Sequence, residues 1–157
     1  MALVEAVFFD TTVLLAGLID MGQVSAPAQH LMGAVVDGRL NRPWTAWHCC
    51  LEFYAVSTRL PEDLRLTPGD AARLLDEEVF HRFRVQQLPE RRRDMLVRQA
   101  VSDHVIGGRV YDLHIAEVAR AAGAKLVVTD NRRHFASLLR HGVRVLTTPE
   151  FAGELRS

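Results

Sequence analysis

The stretch Val7-Phe8-Phe9-Asp10-Thr11-Thr12-Val13-Leu14-Leu15 decides the fold: an apolar run of strand character is cut by one carboxylate and then resumes. An ionised group left inside such a run would cost several kcal/mol, on the order of the penalty for unpaired buried charge. Asp10 is therefore expected where a strand ends and a helix begins, at the edge of a core. Thr11 and Thr12 can cap the helix that Val13, Leu14 and Leu15 continue, since short hydroxyl side chains accept from the free N–H groups of a first turn.

Working outward, residues 3–9 read as a buried strand and 12–19 as a short helix. Ser25 and Pro27 open a second helix, in which Ala28, Leu31, Met32 and Val35 recur at the spacing of one buried face before Gly38 ends it. Residues 43–46 suit a brief strand. The segment 46–58 is apolar on almost every side, which predicts a core helix, yet His48 and Glu52 stand four apart on one stripe of it. Thr67-Pro68 starts another helix, with proline in the first turn, and 84–88 suits a strand. Pro89 opens the next helix, and Gly107-Gly108 closes that unit. Residues 111–122 read as helix, 125–129 as a compact strand ending in Asp130-Asn131, then a short helix and a last strand over 143–146. Strands alternating with helices predict an α/β fold, a parallel sheet covered on both faces, whose sites gather beyond the carboxyl ends of the strands. Asp10 and Asp130 both fall at such ends.

At 157 residues the chain has the length of one domain, here spanning 1–157. Its 48% hydrophobic and 24% charged content is that of a globular protein, and no apolar run approaches the ~18 residues of a membrane span. The N-terminus carries Glu5 and Asp10 with neither a basic region nor a small-residue cleavage site, which predicts a cytoplasmic protein. Cys49 and Cys50 are adjacent, poorly placed for a disulfide, and read as buried thiols. Formal net charge is zero, so no global field draws nucleic acid, but Lys125 is the only lysine. Arginine binds phosphate in bidentate fashion, although genomic base composition can produce the same bias.

Each acid has a structural explanation available. Asp10 can cap a helix, Glu52 can pair with an arginine, Asp112 is placed to be an N-cap, and Asp130-Asn131 is a common turn. Glu52 nonetheless lies among Leu51, Phe53, Tyr54, Ala55 and Val56, and Asp112 shares a helix face with Ile115, Ala116 and Ala119. Position 115 is Ile, so the reciprocal capping box is absent. If these side chains converge, their repulsion is relieved by a cation, and oxygen ligands select hard divalent ions, Mg²⁺ or Mn²⁺, over zinc. Such ions bind phosphates, so the expected chemistry is phosphodiester hydrolysis by a metal-activated water. The seven histidines show no HxxxH or Cys/His spacing, and no zinc site is expected.

Four blocks then carry a resemblance: Phe9-Asp10-Thr11-Thr12-Val13-Leu14-Leu15, Leu51-Glu52-Phe53-Tyr54-Ala55-Val56-Ser57-Thr58-Arg59-Leu60-Pro61, Gly107-Gly108-Arg109-Val110-Tyr111-Asp112, and Val128-Thr129-Asp130-Asn131-Arg132-Arg133-His134-Phe135. In this order they resemble the signature blocks of PIN-domain ribonucleases, and most closely the VapC-type toxins of bacterial toxin–antitoxin pairs. The resemblance implies a three-layer Rossmann-like PIN fold with a central parallel sheet flanked by helices, Mg²⁺ or Mn²⁺, cleavage of RNA, homodimerisation and a cognate antitoxin. By position, Asp10, Glu52 and Asp112 match metal-binding acids, and Thr12 the small polar residue two after the first. The last block offers Asp130 on charge and Asn131 on register, and both stand as candidates. Arg132, Arg133 and His134 follow directly, where they could hold the RNA backbone. Arg91, Arg92 and Arg93 in a helix first turn suit either a phosphate contact or a solvated face balanced by Glu90 and Asp94. Sequence-specific reading of RNA needs stacking aromatics or base-edge contacts, and no residue is assigned to that role.

Two other functions compete. A haloacid-dehalogenase-type phosphatase also places an aspartate after its first strand, but needs a second two positions on, where Thr12 stands. A catalytically weak, RNA-binding PIN-like regulatory domain would have a last block unable to hold metal.

Overall fold

The structure, a computed structural model, describes residues 6–156. Five parallel strands form one sheet in the order β3-β2-β1-β4-β5, with β1 at Val7–Phe9, β2 at Trp44–Ala46, β3 at Arg84–Gln86, β4 at Leu126–Val128 and β5 at Arg144–Leu146. All three residues of both β1 and β4 are buried, as expected for central strands covered on both faces. The edge strands instead expose Arg84 and Arg144. Of the strand expected over 3–9, residues 3–5 lie outside the described residues.

Connections between the strands are helical: α1 (Thr11–Leu18), α2 (Ala26–Val36), α3 (Trp47–Ser57), α4 (Pro68–Leu74), α5 (Arg93–Ser102) and α6 (Arg109–Ala121). A last helix, α7 (Thr148–Arg156), follows β5. It packs on α2, which packs on α1, while α6 packs on α5 and on the 3-10 segment Arg132–His141. These two groups of helices and the sheet make the three-layer α/β sandwich. The α1–α2 contact is close because of Gly17, where a Cβ would come within 2.5 Å of Met32 Cγ. Among the described residues no helix is long and apolar enough to cross a membrane.

Several local expectations are corrected. Thr11 and Thr12 are not caps: Asp10 occupies the N-cap position of α1, and its carboxylate makes no capping bond either. Helix α6 starts at Arg109 with Gly108 as N-cap, so Asp112 lies inside the first turn. Helix α7 was not anticipated at all. Cys49 and Cys50 are free and buried, with burial pushing both thiols up, as inert core side chains should be.

Candidate active site

Strand order reverses at β1: β2 and β3 lie on one side of it, β4 and β5 on the other. Ligands in such sheets bind at the crevice outside this switch point. Register places Phe9 opposite Val128, and the Asp10 N–H donates to Val128 O at 3.0 Å. Asp10 and Thr129 therefore leave adjacent strands together. Thr129 Oγ1 donates to Asp10 Oδ2 at 2.7 Å, and Thr12 Oγ1 does so at 3.4 Å. Only 3% of Asp10 is exposed.

Two more acids arrive from helices. Glu52 sits on α3, which continues directly from β2, and accepts from Thr11 Oγ1 at 3.4 Å. Its other neighbour is His48, four residues earlier, with Nε2 at 3.2 Å from Glu52 Oε1. The arginine partner that could have explained Glu52 is absent among the described residues. Asp112, half-buried on α6, accepts from His134 Nδ1 at 2.8 Å.

The electrostatics link the three. Burial raises Asp10 from its ordinary 3.8 to about 6; the Thr129 hydrogen bond opposes this, and the charges of Glu52 and Asp112 add to it. Glu52 is raised by burial and then by Asp112, against the Thr11 hydrogen bond. His48 is held below its usual value by burial, although Asp112 and Asp10 pull it up. Asp10 and Glu52, both raised by burial and by the charge of Asp112, present with Asp112 an oxygen-only donor set, suited to a hard cation that keeps some of its waters. Among the described residues no three His, Cys, Asp or Glu side chains meet as a ready-made metal cage.

The last sequence block divides. Asp130 is turned to α7: its Oδ1 accepts from Thr148 N at 3.1 Å and from Thr148 Oγ1 at 2.8 Å. Asn131 is exposed, and its backbone N–H donates to Thr129 Oγ1 at 3.1 Å. Arg132 pairs with Glu150 at 2.6 Å. Arg133 and His134 instead line a groove of about 390 Å³ with Arg109 and Arg140. Arg140 is paired with Asp103, whereas Arg109 and Arg133 have no ion-pair partner among the described residues. The run Arg91 to Arg93 spans a 3-10 turn and the start of α5.

Sequence reasoning missed two parts of this arrangement. Thr129 was passed over as the end of a strand, although a hydroxyl after a fully apolar β4 was a usable signal. His134 was expected on RNA and lies on Asp112; no spacing rule connects residues 22 apart.

Comparison with known proteins gives concordant results. A family model described as PIN domain matches residues 6–133. The curated protein Ribonuclease VapC27 of Mycobacterium tuberculosis is 43% identical over 86 residues, 54% of this chain and 60% of that relative. The match thus spans less than two thirds of the relative's length. Among solved structures, Mycobacterium tuberculosis VapC20, described as a sarcin-ricin loop cleaving toxin, superposes with a TM-score of 0.64 at 15% identity, covering 83% of this chain and 94% of that one. VapBC2 of Rickettsia felis, bound to a DNA fragment from its promoter, gives 0.61 at 14% identity, covering 90% and 97%. At such identities the structures speak for the fold alone.

Proposed function

Because the chain belongs to the PIN-domain family, on a match covering residues 6–133, we propose that it is a divalent-cation-dependent endoribonuclease, the toxin of a toxin–antitoxin pair, working in the cytoplasm. The VapC-type ribonucleases of this family generally depend on a divalent metal; the finer reading is Mg²⁺ or Mn²⁺. The observation that carries it is the grouping of Asp10, Glu52 and Asp112 at the switch point of the sheet, where the charges of Glu52 and Asp112 act on Asp10 and that of Asp112 acts on Glu52. Those three would hold the cation. When bound, it neutralises charge on the scissile phosphate and activates water.

The chain's own residues do the rest. Thr129 and Thr12 fix the Asp10 carboxylate in place by donating to Oδ2, and Thr11 does the same for Glu52. His134 orients Asp112, as partners behind a ligand commonly do. Arg109 and Arg133 offer free guanidinium groups to the phosphates on either side of the cleaved bond. Asp130 acts as a brace for α7, because both donors of Thr148 occupy its Oδ1. Partners follow from the same reading: RNA as substrate, a cognate antitoxin, and a second copy of the chain. The name of the curated relative, a ribonuclease, supports it.

The test is cleavage of RNA with Mg²⁺ or Mn²⁺ by the wild type, Asp10→Ala and Asp112→Ala. Cleavage by the wild type and loss of about 10²-fold or more in both variants is expected. Equal activity in all three would place the chemistry elsewhere. The phosphatase alternative has no support in the geometry, since the position two after Asp10 is Thr12, engaged with Asp10 itself.

A further inference from the structure

The three acids are not held alike. Asp10 takes a 2.7 Å bond from Thr129 on Oδ2, and Asp112 a 2.8 Å bond from His134 on Oδ2. Glu52 has only the longer Thr11 contact, 3.4 Å to Oε1. The second group at that same oxygen is the His48 ring, with Nε2 at 3.2 Å. Among the described residues nothing donates to Glu52 Oε2, so both neighbours sit on one oxygen and leave the other open.

His48 stands on α3 one turn before Glu52, at the i, i+4 spacing of a shared helix face, and it is clasped from α6. Its ring stacks on Tyr111, with centroids 5.5 Å apart and planes inclined by 19°, and meets His114 edge-on at 5.2 Å. Those two residues bracket Asp112, one directly before it and the other two after. Helix α3 packs on α1 and α4, whereas α6 packs on α5 and the 3-10 segment. Among the described residues no hydrogen bond or ion pair joins α3 to α6, so this ring cluster is what ties the helix of one acid to the helix of the other.

Ring packing alone is the plainer role. His48, Tyr111 and His114 also line a groove of about 470 Å³ with Trp47, Leu51 and Val110, and a purely apolar ring would build the same wall. It would not bring a nitrogen to Glu52. Imidazole does both, because stacking uses its face and donation uses its edge.

We propose that His48 is a positioning residue of the cation site: gripped by Tyr111 and His114, it donates from Nε2 to Glu52 Oε1 and so holds Glu52 in register with Asp112. This role rests on the divalent-cation nuclease reading and adds a brace that acts through Glu52 without touching the cation.

The experiment is calorimetric titration of Mn²⁺ into the metal-free full chain, using the wild type, His48→Phe and His48→Gln, with thermal melts of all three. His48→Phe keeps a ring to stack and loses the nitrogen; His48→Gln keeps a donor and loses the ring. Partners behind a metal ligand commonly set affinity by about 10–100-fold. His48→Phe is expected to weaken Mn²⁺ binding by about tenfold while melting like the wild type, and His48→Gln to recover most of that loss. Wild-type affinity in His48→Phe overturns the proposal, and so does a His48→Gln variant that binds no better than His48→Phe, since packing would then be the whole role. A second readout needs neither metal nor an altered fold: the long-range proton–nitrogen spectrum of the metal-free wild type, with the His48 ring assigned by its absence from His48→Gln. A proton on Nε2 is expected, and a bare Nε2 with the proton on Nδ1 overturns the brace. The two levels separate cleanly. Normal Mn²⁺ binding with a bare Nε2 removes the role of His48 alone, whereas a wild type that binds no Mn²⁺ removes the cation reading and the brace with it.

Discussion

Asp10 is a carboxylate that the fold makes uncomfortable. With 3% exposure and a carboxyl raised by burial to about 6 against an ordinary 3.8, it is more easily protonated in the folded chain than in the unfolded one. The sign follows directly: well below the ordinary value Asp10 imposes no penalty, stability falls as pH rises from there through about 6, and the loss is complete above it. In metal-free protein Asp10→Asn is therefore expected to raise stability above that window, by up to about 3 kcal/mol, and to change little below it. Thermal melts of both proteins across the range check this; a pH-independent difference would contradict it. The Thr129 hydrogen bond works in the opposite direction, favouring the ionised form. Removing it with Thr129→Val should push Asp10 higher still and weaken Mn²⁺ binding more at pH about 6 than at alkaline pH, where Asp10 is ionised in both proteins, which calorimetry at two pH values resolves.

At the scale of elements, α7 matters because it captures Asp130. The Thr148 hydroxyl and N–H both donate to Asp130 Oδ1, and Thr148 is buried. Asp130→Ala leaves these donors unmatched at a cost of about 1–3 kcal/mol, lowering the melting temperature while cleavage per folded molecule stays within about threefold. A loss of 10²-fold in turnover would instead make Asp130 a ligand. Much of this level was legible in the sequence. The apolar runs 7–9 and 126–128 could be little else than buried strands, and an acid at the end of the first announced the crevice. Helices gave themselves away by period and by Pro68. What stayed hidden was contact between distant elements: the Asp130–Thr148 cap joins β4 to a helix that no strong period marks, and Asp112 meets His134 only because α6 packs on the 3-10 segment Arg132–His141. Tyr111, Trp47 and His48 were visible as residues, but their common groove is a product of packing α3 on one side and α6 on the other.

For the whole molecule, the parallel sheet gathers acids from three regions of the chain, Asp10 after β1, Glu52 after β2 and Asp112 from α6, beyond the carboxyl ends of its central strands. The same end carries guanidinium groups on one flank and aromatic rings on the other. With formal net charge zero, no global field draws RNA to the molecule at long range, so the affinity of the proposed ribonuclease would have to come from this local surface. Binding of RNA should accordingly fall with added salt by an amount set by few phosphate contacts, and Arg109→Ala with Arg133→Ala should reduce the slope further. A slope unchanged by the double substitution would mean that the backbone runs elsewhere.

The central claim is that Asp10, Glu52 and Asp112 together hold a divalent cation, and calorimetric titration of Mn²⁺ into metal-free protein tests it most directly. The wild type is expected to bind at millimolar ion or below, and Asp112→Asn to lose that binding while melting like a folded protein. An absence of Mn²⁺ binding by the wild type, or binding that Asp112→Asn leaves intact, would contradict it.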